Sequence, residues 1–249
     1  MERDLWRVSY SSFPKFKCPR CRSGTLSTVK ESMQRRQTKY SKLEHNQEGW
    51  EPDWITERFV CLLECGYAFC GEVVTVCGLV YYQYGEYPDG EDTGWDFSPT
   101  FLPHSMRPAP PVISLSAKLP KECGEHLKKA FELMWFDASA CTNRIRTFVE
   151  ALLDHFEIDK EGQNKKGELY RYNLDKRIQL FEEKMPGHKV VFDALRWFGN
   201  FGSHGGATKW EAILDAFHLV EYIIDEVIDH KGAKIKAIAQ NIVDKKGDV

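Results

Sequence analysis

Two periods divide the chain. Up to about residue 100 the apolar positions alternate in short runs. The stretch ERFVCLLECGYAFCGEVVTVCGLVYYQYG, starting at Glu57, is dense in Val, Phe, Tyr and Cys, a pattern that suits strands of a half-buried sheet. From about Leu119 the spacing becomes three and four. Cys123, Leu127, Ala130, Phe131 and Met134 form one stripe. Cys141, Ile145, Phe148, Val149, Leu152 and Phe156 form a second, with Asp137 or Ser139 placed to cap it. A third helix is expected over about Leu174 to Met185, where Pro186-Gly187 breaks it. A fourth uses Val190, Val191, Ala194, Leu195 and Phe198, and a fifth runs from about Lys209 to His230. IDKEGQNKKGE reads as a polar loop and KIKAIAQNIVDKKGDV as a short, fraying tail helix. The predicted class is α+β: a β-rich N-terminal part, then an all-α bundle of about five helices.

Six prolines fall between Pro88 and Pro111. Proline removes a backbone donor and blocks helix and sheet ladders alike, so this tract is expected to be a linker. It divides the chain into residues 1–110, a β domain ending in the linker, and 111–249, the helical bundle.

Composition narrows the class further. At 249 residues, with 42% hydrophobic and 29% charged positions, the chain can bury a core. No apolar h-region follows the charged start Met1-Glu2-Arg3-Asp4, so no secretory signal is read. The longest apolar run, about Val73 to Tyr82, is far short of the ~20 residues that cross a bilayer. A cytoplasmic protein with no membrane partner is expected. The net charge of -3 conceals an asymmetry. Residues 1–43 hold eleven Lys/Arg against three Asp/Glu, a net +8, and residues 44–110 hold two against twelve, a net -10. Either the basic arm contacts nucleic acid, with Arg35 and Arg36 as candidate phosphate ligands, or the two segments neutralise each other inside one domain. Tyr81, Tyr82, Tyr84 and Tyr87, beside Trp95 and Phe97, are likewise either a base-stacking platform or an aromatic β core.

Six of the eight cysteines lie between Cys18 and Cys77. In a chain without an export signal, clustered cysteines read as metal ligands before disulfides. Cys18-Pro-Arg-Cys21 has the form of a zinc knuckle, two thiolates on one tight turn. For the second pair, Cys61 with Cys65 and Cys65 with Cys70 are both usable. Gly71, just past Cys70, suits a knuckle turn that needs positive φ, which favours Cys18, Cys21, Cys65 and Cys70 as ligands of one structural zinc. Cys61 and Cys77 are then expected to be small buried residues.

The segment RWFGNFGSHGGA, from Arg196, interrupts an apolar helix. On a helix Arg196, Asn200 and His204 are spaced i, i+4 and i+8, within roughly 80° of one face. Gly199 and Gly202 keep that face open, and Gly205-Gly206 ends the helix. The trio is either a packing device or a catalytic edge. No P-loop, GxGxxG, GxSxG or HExxH occurs.

Here the chain resembles a bacterial family of unknown function. ALRWFGNFGSH is similar to its K-W-x-G-N-x-G-S-H signature, ACTNRIRTFVEALLDHFEI to its N-x-x-R-x-x-x-E-x-L-L helix, and YNLDKRIQLF to its L-H-x-R-I-x-x-F helix, with Asp175 where that pattern has His. The cysteine pairs match where its zinc ribbon sits. That family is similar to the HEPN superfamily of nucleotide-binding and RNase bundles, whose site follows R-N-x-x-x-H or R-x4–6-H. Here Gly199, not Arg, precedes Asn200. The resemblance implies a HEPN-like bundle, a homodimer whose two sites share a cleft, and company with restriction or phage-defence complexes.

Metal-free RNA cleavage needs a proton carrier, which His204 supplies near neutral pH, and a cation over the phosphorane, which Arg196 supplies. Arg146 or Arg177 on other helices offers the same cation and a contact for RNA or DNA. Two functions therefore stand: a noncatalytic nucleic-acid- or protein-binding adaptor, and a metal-independent RNase centred on His204.

Overall fold

The computed structural model describes residues 1–86, 95–203 and 209–246, with side chains described except at 83–86, 95–97 and 200–203. Two compact units result: Glu2–Pro111, and Val112–Val249 together with Met1. The class is α+β, a four-stranded antiparallel sheet followed by helices.

The N-terminal unit is a meander. Strands β1 (Leu26–Gln37), β2 (Glu57–Cys65), β3 (Val73–Glu86) and β4 (Trp95–Arg107) lie side by side in chain order, and a short helix α1 (Lys39–Glu44) stands between β1 and β2. Period two is plainest in β2, where Glu57, Phe59, Cys61, Leu63 and Cys65 are buried and Arg58, Val60 and Glu64 are exposed. On β3, Val74, Val76 and Val80 take the buried positions. Over this sheet packs an aromatic cluster that the alternation did not reveal. Trp6 and Phe16 stack at 5.1 Å, Phe13 lies 6.0 Å from both Phe59 and Phe101, and Phe59 meets Phe101 edge-on at 5.0 Å. Tyr10 bridges to Phe101 through two backbone hydrogen bonds of 2.9 and 2.7 Å. The residues before β1 thus supply much of the core. By contrast Tyr81 is exposed, and Tyr82 binds Glu57 and Arg35 instead of packing inward. Tyr84, Trp95 and Phe97 carry side chains outside the described set, and Tyr87 lies outside the described residues altogether.

The proline tract is not a linker over most of its length. Residues 95–107 pair with β3, with Pro99 opposite Tyr82 and Pro103 opposite Gly78. Position in the sheet explains the tolerance. β4 is an edge strand, so a missing N–H costs no ladder bond on its open side. A register shift between Cys77 and Gly78 accommodates Pro103. Only glycine fits there, because a Cβ on Gly78 would fall 2.0 Å from the Leu102 oxygen.

The second unit holds α2 (Lys121–Leu133), α3 (Ala138–His155), a hairpin of β5 (Glu161–Gln163) and β6 (Leu169–Arg171), α4 (Leu174–Lys184), α5 (Lys189–Ser203) and α6 (Trp210–Ile223). A π-helical turn, Ile224–Ile228, and α7 (Lys231–Asp244) close the chain. Helix α3 is central and packs against α2, α4, α5 and α6. Its Ile145, Phe148, Val149 and Leu152 are fully buried with Leu127, Phe181, Phe192, Phe217 and Val220, each contributing about 1.5–3 kcal/mol by the area it removes from water. Asp137 caps α3 through the Ala140 N–H at 2.9 Å, and Asn173 caps α4 through the Lys176 N–H at 2.8 Å. The segment read as a polar loop forms the β5–β6 hairpin. The Asn164 side chain accepts from the N–H groups of Lys166 and Glu168 at 2.8 and 3.0 Å, and Gly167 takes φ +79°. No helix among the described residues is long and apolar enough to cross a membrane.

Candidate metal centre and polar helix edge

Two turns bring four sulfurs together. On the first, the Cys18 N–H donates to Gly24 O at 2.9 Å and the Arg22 N–H to Cys18 O at 3.1 Å, with Arg22 at φ +58°. On the second, the Cys65 N–H donates to Glu72 O at 2.9 Å and the Cys70 N–H to Tyr67 O at 2.8 Å, with Gly71 at φ +57°. The two turns sit side by side because β1 starts opposite the end of β2, Leu26 facing Cys65. The Sγ atoms of Cys18, Cys21, Cys65 and Cys70 all lie within 4.8 Å of one another. Cys18–Cys70 and Cys21–Cys65 are each 3.7 Å apart. Tetrahedral thiolates about 2.3 Å from a zinc ion are separated by roughly 3.8 Å. The cluster is therefore positioned to hold a metal ion and is compatible with zinc.

The thiols already differ in acidity. The Gly24 N–H, 3.3 Å from the Cys21 sulfur, leads the effects that draw Cys21 down to about 6. At Cys65 the Tyr67 N–H acts in the same sense, but burial and the three neighbouring cysteines outweigh it and push the thiol up to about 12. Burial also raises Cys18. Metal binding displaces the protons that remain on such thiols.

Cys61 is buried on β2, and burial pushes its thiol up to about 11. Cys77, expected inside, is exposed. Its neighbours Val76 and Gly78 are both buried, and strand alternation turns the residue between them outward.

The turns that hold the sulfurs also carry residues that motif spacing did not flag. Phe69, between Cys65 and Cys70, is 91% exposed, and it meets the half-exposed Tyr67 edge-on at 5.9 Å. Arg20 and Arg22, on the facing turn, are exposed. Two aromatics inside a spacer that must be short and exposed were the available signal.

The candidate phosphate ligands are engaged to different degrees. Arg35 forms a fork with Glu57, at 3.3 and 2.9 Å, and its Nη2 donates to the Tyr82 hydroxyl at 2.6 Å. The basic arm and the acidic segment thus pair at this point. Arg36 is exposed and faces Arg58 across the ladder. Arg177 is buried, its Nη2 donating to Asp154 at 2.6 Å and to Ile158 O at 3.1 Å. Arg146 lies 3.4 Å from Glu150 along α3.

On α5, Arg196 is held by acids. Its Nη2 is 2.9 Å from Asp175 and 3.2 Å from Asp193, and its guanidinium lies 4.8 Å from the centre of the Trp197 ring. Gly199 is buried where α5 crosses α3, and a Cβ there would come 2.8 Å from the Arg146 Cβ. The Asn200 side chain and all of His204 lie outside the described residues.

Two families match the chain. Residues 7–104 are similar to a domain of unknown function (DUF8608), and residues 128–245 to another domain of unknown function (DUF4145). No curated protein and no solved structure matches.

Proposed function

We propose that this chain is a noncatalytic nucleic-acid-binding adaptor, built from a zinc ribbon and a HEPN-like helical bundle. Zinc is the ion assigned to Cys18, Cys21, Cys65 and Cys70. Four thiolates fill its coordination sphere and leave no position for substrate, so its role is structural. Such thiolates persist in a reducing compartment, in keeping with a cytoplasmic protein. The observation that carries the binding role is the exposure of Phe69 beside Tyr67, Arg20 and Arg22 on the two metal-holding turns. Exposed rings next to cations suit single-stranded nucleic acid, where each stacked base contributes about 1–3 kcal/mol whatever its identity. The helical unit, by its resemblance, dimerises or docks to a larger defence complex.

The RNase reading is weaker, because Arg196 is neutralised by Asp175 and Asp193. What favours it is Gly199, whose close approach sets the Arg146 stem beside the segment leading to His204.

The decisive measurement is anisotropy of a labelled single-stranded RNA titrated with zinc-loaded protein in EDTA-free buffer. Phe69→Ala is expected to weaken binding by about 1–3 kcal/mol at unchanged melting temperature. Equal affinity in that variant refutes the stacking role. Cleavage of the same RNA that survives EDTA and vanishes in His204→Ala replaces the adaptor reading with the RNase one.

A further inference from the structure

A cavity of about 260 Å³ opens in the helical unit where α3, the β5–β6 hairpin and the first turn of α4 meet. Arg146, Lys160, Arg171 and Arg177 line it, against Glu150 and Asp154. Four cations face two carboxylates, a surplus of two positive charges. Asp154 is taken by Arg177 at 2.6 Å and Lys160 at 2.8 Å, and Glu150 lies 3.4 Å from Arg146. Arg171 has no ion-pair partner among the described residues. The Arg177 side chain is only 8% exposed, yet its Nε–H is buried with no hydrogen-bond partner among the described residues. Leaving a buried charged donor unsatisfied costs more than a net hydrogen bond contributes. That atom is closed off from solvent, so the cations within reach of a ligand are the exposed Lys160 and Arg171.

We propose that this cavity binds a phosphate monoester, either a free nucleotide or the 5′ end of an RNA. A monoester carries about -1.5 to -2 charge at neutral pH, which balances the surplus. A phosphodiester inside a strand carries only -1. Guanidinium forks match the tetrahedral oxyanion. The N-terminus of α4, capped by Asn173, opens at the same cavity and favours negative charge. Tyr172 completes the lining between Arg171 and Asn173. This inference is independent of base stacking at the metal-holding turns, which lie in the other unit.

The test is calorimetric titration of the full zinc-loaded chain with AMP, adenosine, and a short oligouridylate bearing either a 5′-phosphate or a 5′-hydroxyl. AMP is expected to saturate the site and adenosine to show no heat of binding. Arg171→Glu, at an exposed position, is expected to weaken AMP by roughly tenfold or more with the melting temperature unchanged. Should that variant fail to fold, Lys160→Gln takes its place with the same expectation. Lowering the pH from about 7.5 to about 5 converts the monoester to its monoanion and should weaken AMP in step. Tighter binding of the 5′-phosphorylated RNA than of AMP assigns the site to RNA ends, and the reverse order assigns it to free nucleotides. The proposal fails if neither monoester saturates, if the charge variant binds AMP as tightly as the parent, or if the 5′-hydroxyl RNA matches the 5′-phosphorylated one. The RNA arms are run in Phe69→Ala, where stacking at the cysteine turns is removed, and AMP binding is expected to be unchanged by that substitution, so the two readings fail separately.

Discussion

A Cβ on Gly24 would stand 2.4 Å from the Cys65 sulfur and 2.7 Å from the Tyr67 Cβ. The glycine is needed for space, since its N–H must also reach the Cys21 sulfur. Gly24→Ala is therefore expected to push the two turns apart, destabilising the N-terminal unit by roughly 1–3 kcal/mol, as overpacking does. It should also raise the concentration of free zinc needed for half-occupancy, read by competition with a chromophoric chelator. Unchanged metal affinity would show that the turns move apart without cost. Arg196 illustrates the limit of spacing at the same scale. Its i, i+4, i+8 relation to Asn200 and His204 is visible in the sequence. Its pairing with Asp175, 21 positions earlier on α4, is not.

At the scale of elements, α5 begins on a device that lies outside its own sequence. The Glu182 carboxylate, near the end of α4, accepts from the N–H groups of Gly187, His188 and Lys189 at 2.7, 3.0 and 2.8 Å. These bonds, that from Gly187 foremost, hold its carboxyl below its ordinary value of 4.5. A carboxyl lowered on folding stabilises the fold fully above its unfolded value, and that contribution fades as the pH falls through the folded one. Glu182→Gln should thus lower the melting temperature of the helical unit by a few degrees at pH 7. The gap to the parent should narrow below about pH 4.5. A gap that stays constant with pH would mean that charge contributes nothing to the cap. The strands teach a related lesson. Proline density from Pro88 to Pro111 reads as linker, but Pro99 and Pro103 occupy an edge strand, and being at an edge is a property of the sheet, not of the segment.

For the whole molecule, the cysteine cluster and the two cores are unevenly shared. The cysteine cluster and the aromatic cluster both belong to Glu2–Pro111, while the helical unit has its own apolar core around α3. Removing the metal with a strong chelator is expected to unfold the N-terminal unit selectively, since metal-binding free energy is folding free energy in small metal domains. Helical circular dichroism should largely persist. Cys70→Ser should reproduce this loss and Cys61→Ser should retain about one zinc per chain by elemental analysis. Retention of zinc by Cys70→Ser and its loss in Cys61→Ser would overturn the ligand set. A single cooperative transition with and without metal would contradict two separately stabilised units.

The sequence alone determined the order of classes, strands then helices, because periods of two and of three to four are written into the apolar positions themselves. It also pointed to the four cysteines that cluster, Cys18, Cys21, Cys65 and Cys70, since a short spacer between two cysteines confines both sulfurs to one turn and Gly71 favoured Cys70 over Cys61. Only the tertiary structure decided what depends on distant partners. It drew residues 6–16 over the sheet as core and made the proline tract an edge strand. It paired Arg35 with Glu57 and Arg196 with Asp175. It also gathered α3, the hairpin and α4 around one cationic cavity. Local pattern records how a residue sits in its own element. Charge compensation and enclosure arise between elements far apart in the chain, and no spacing along it encodes them.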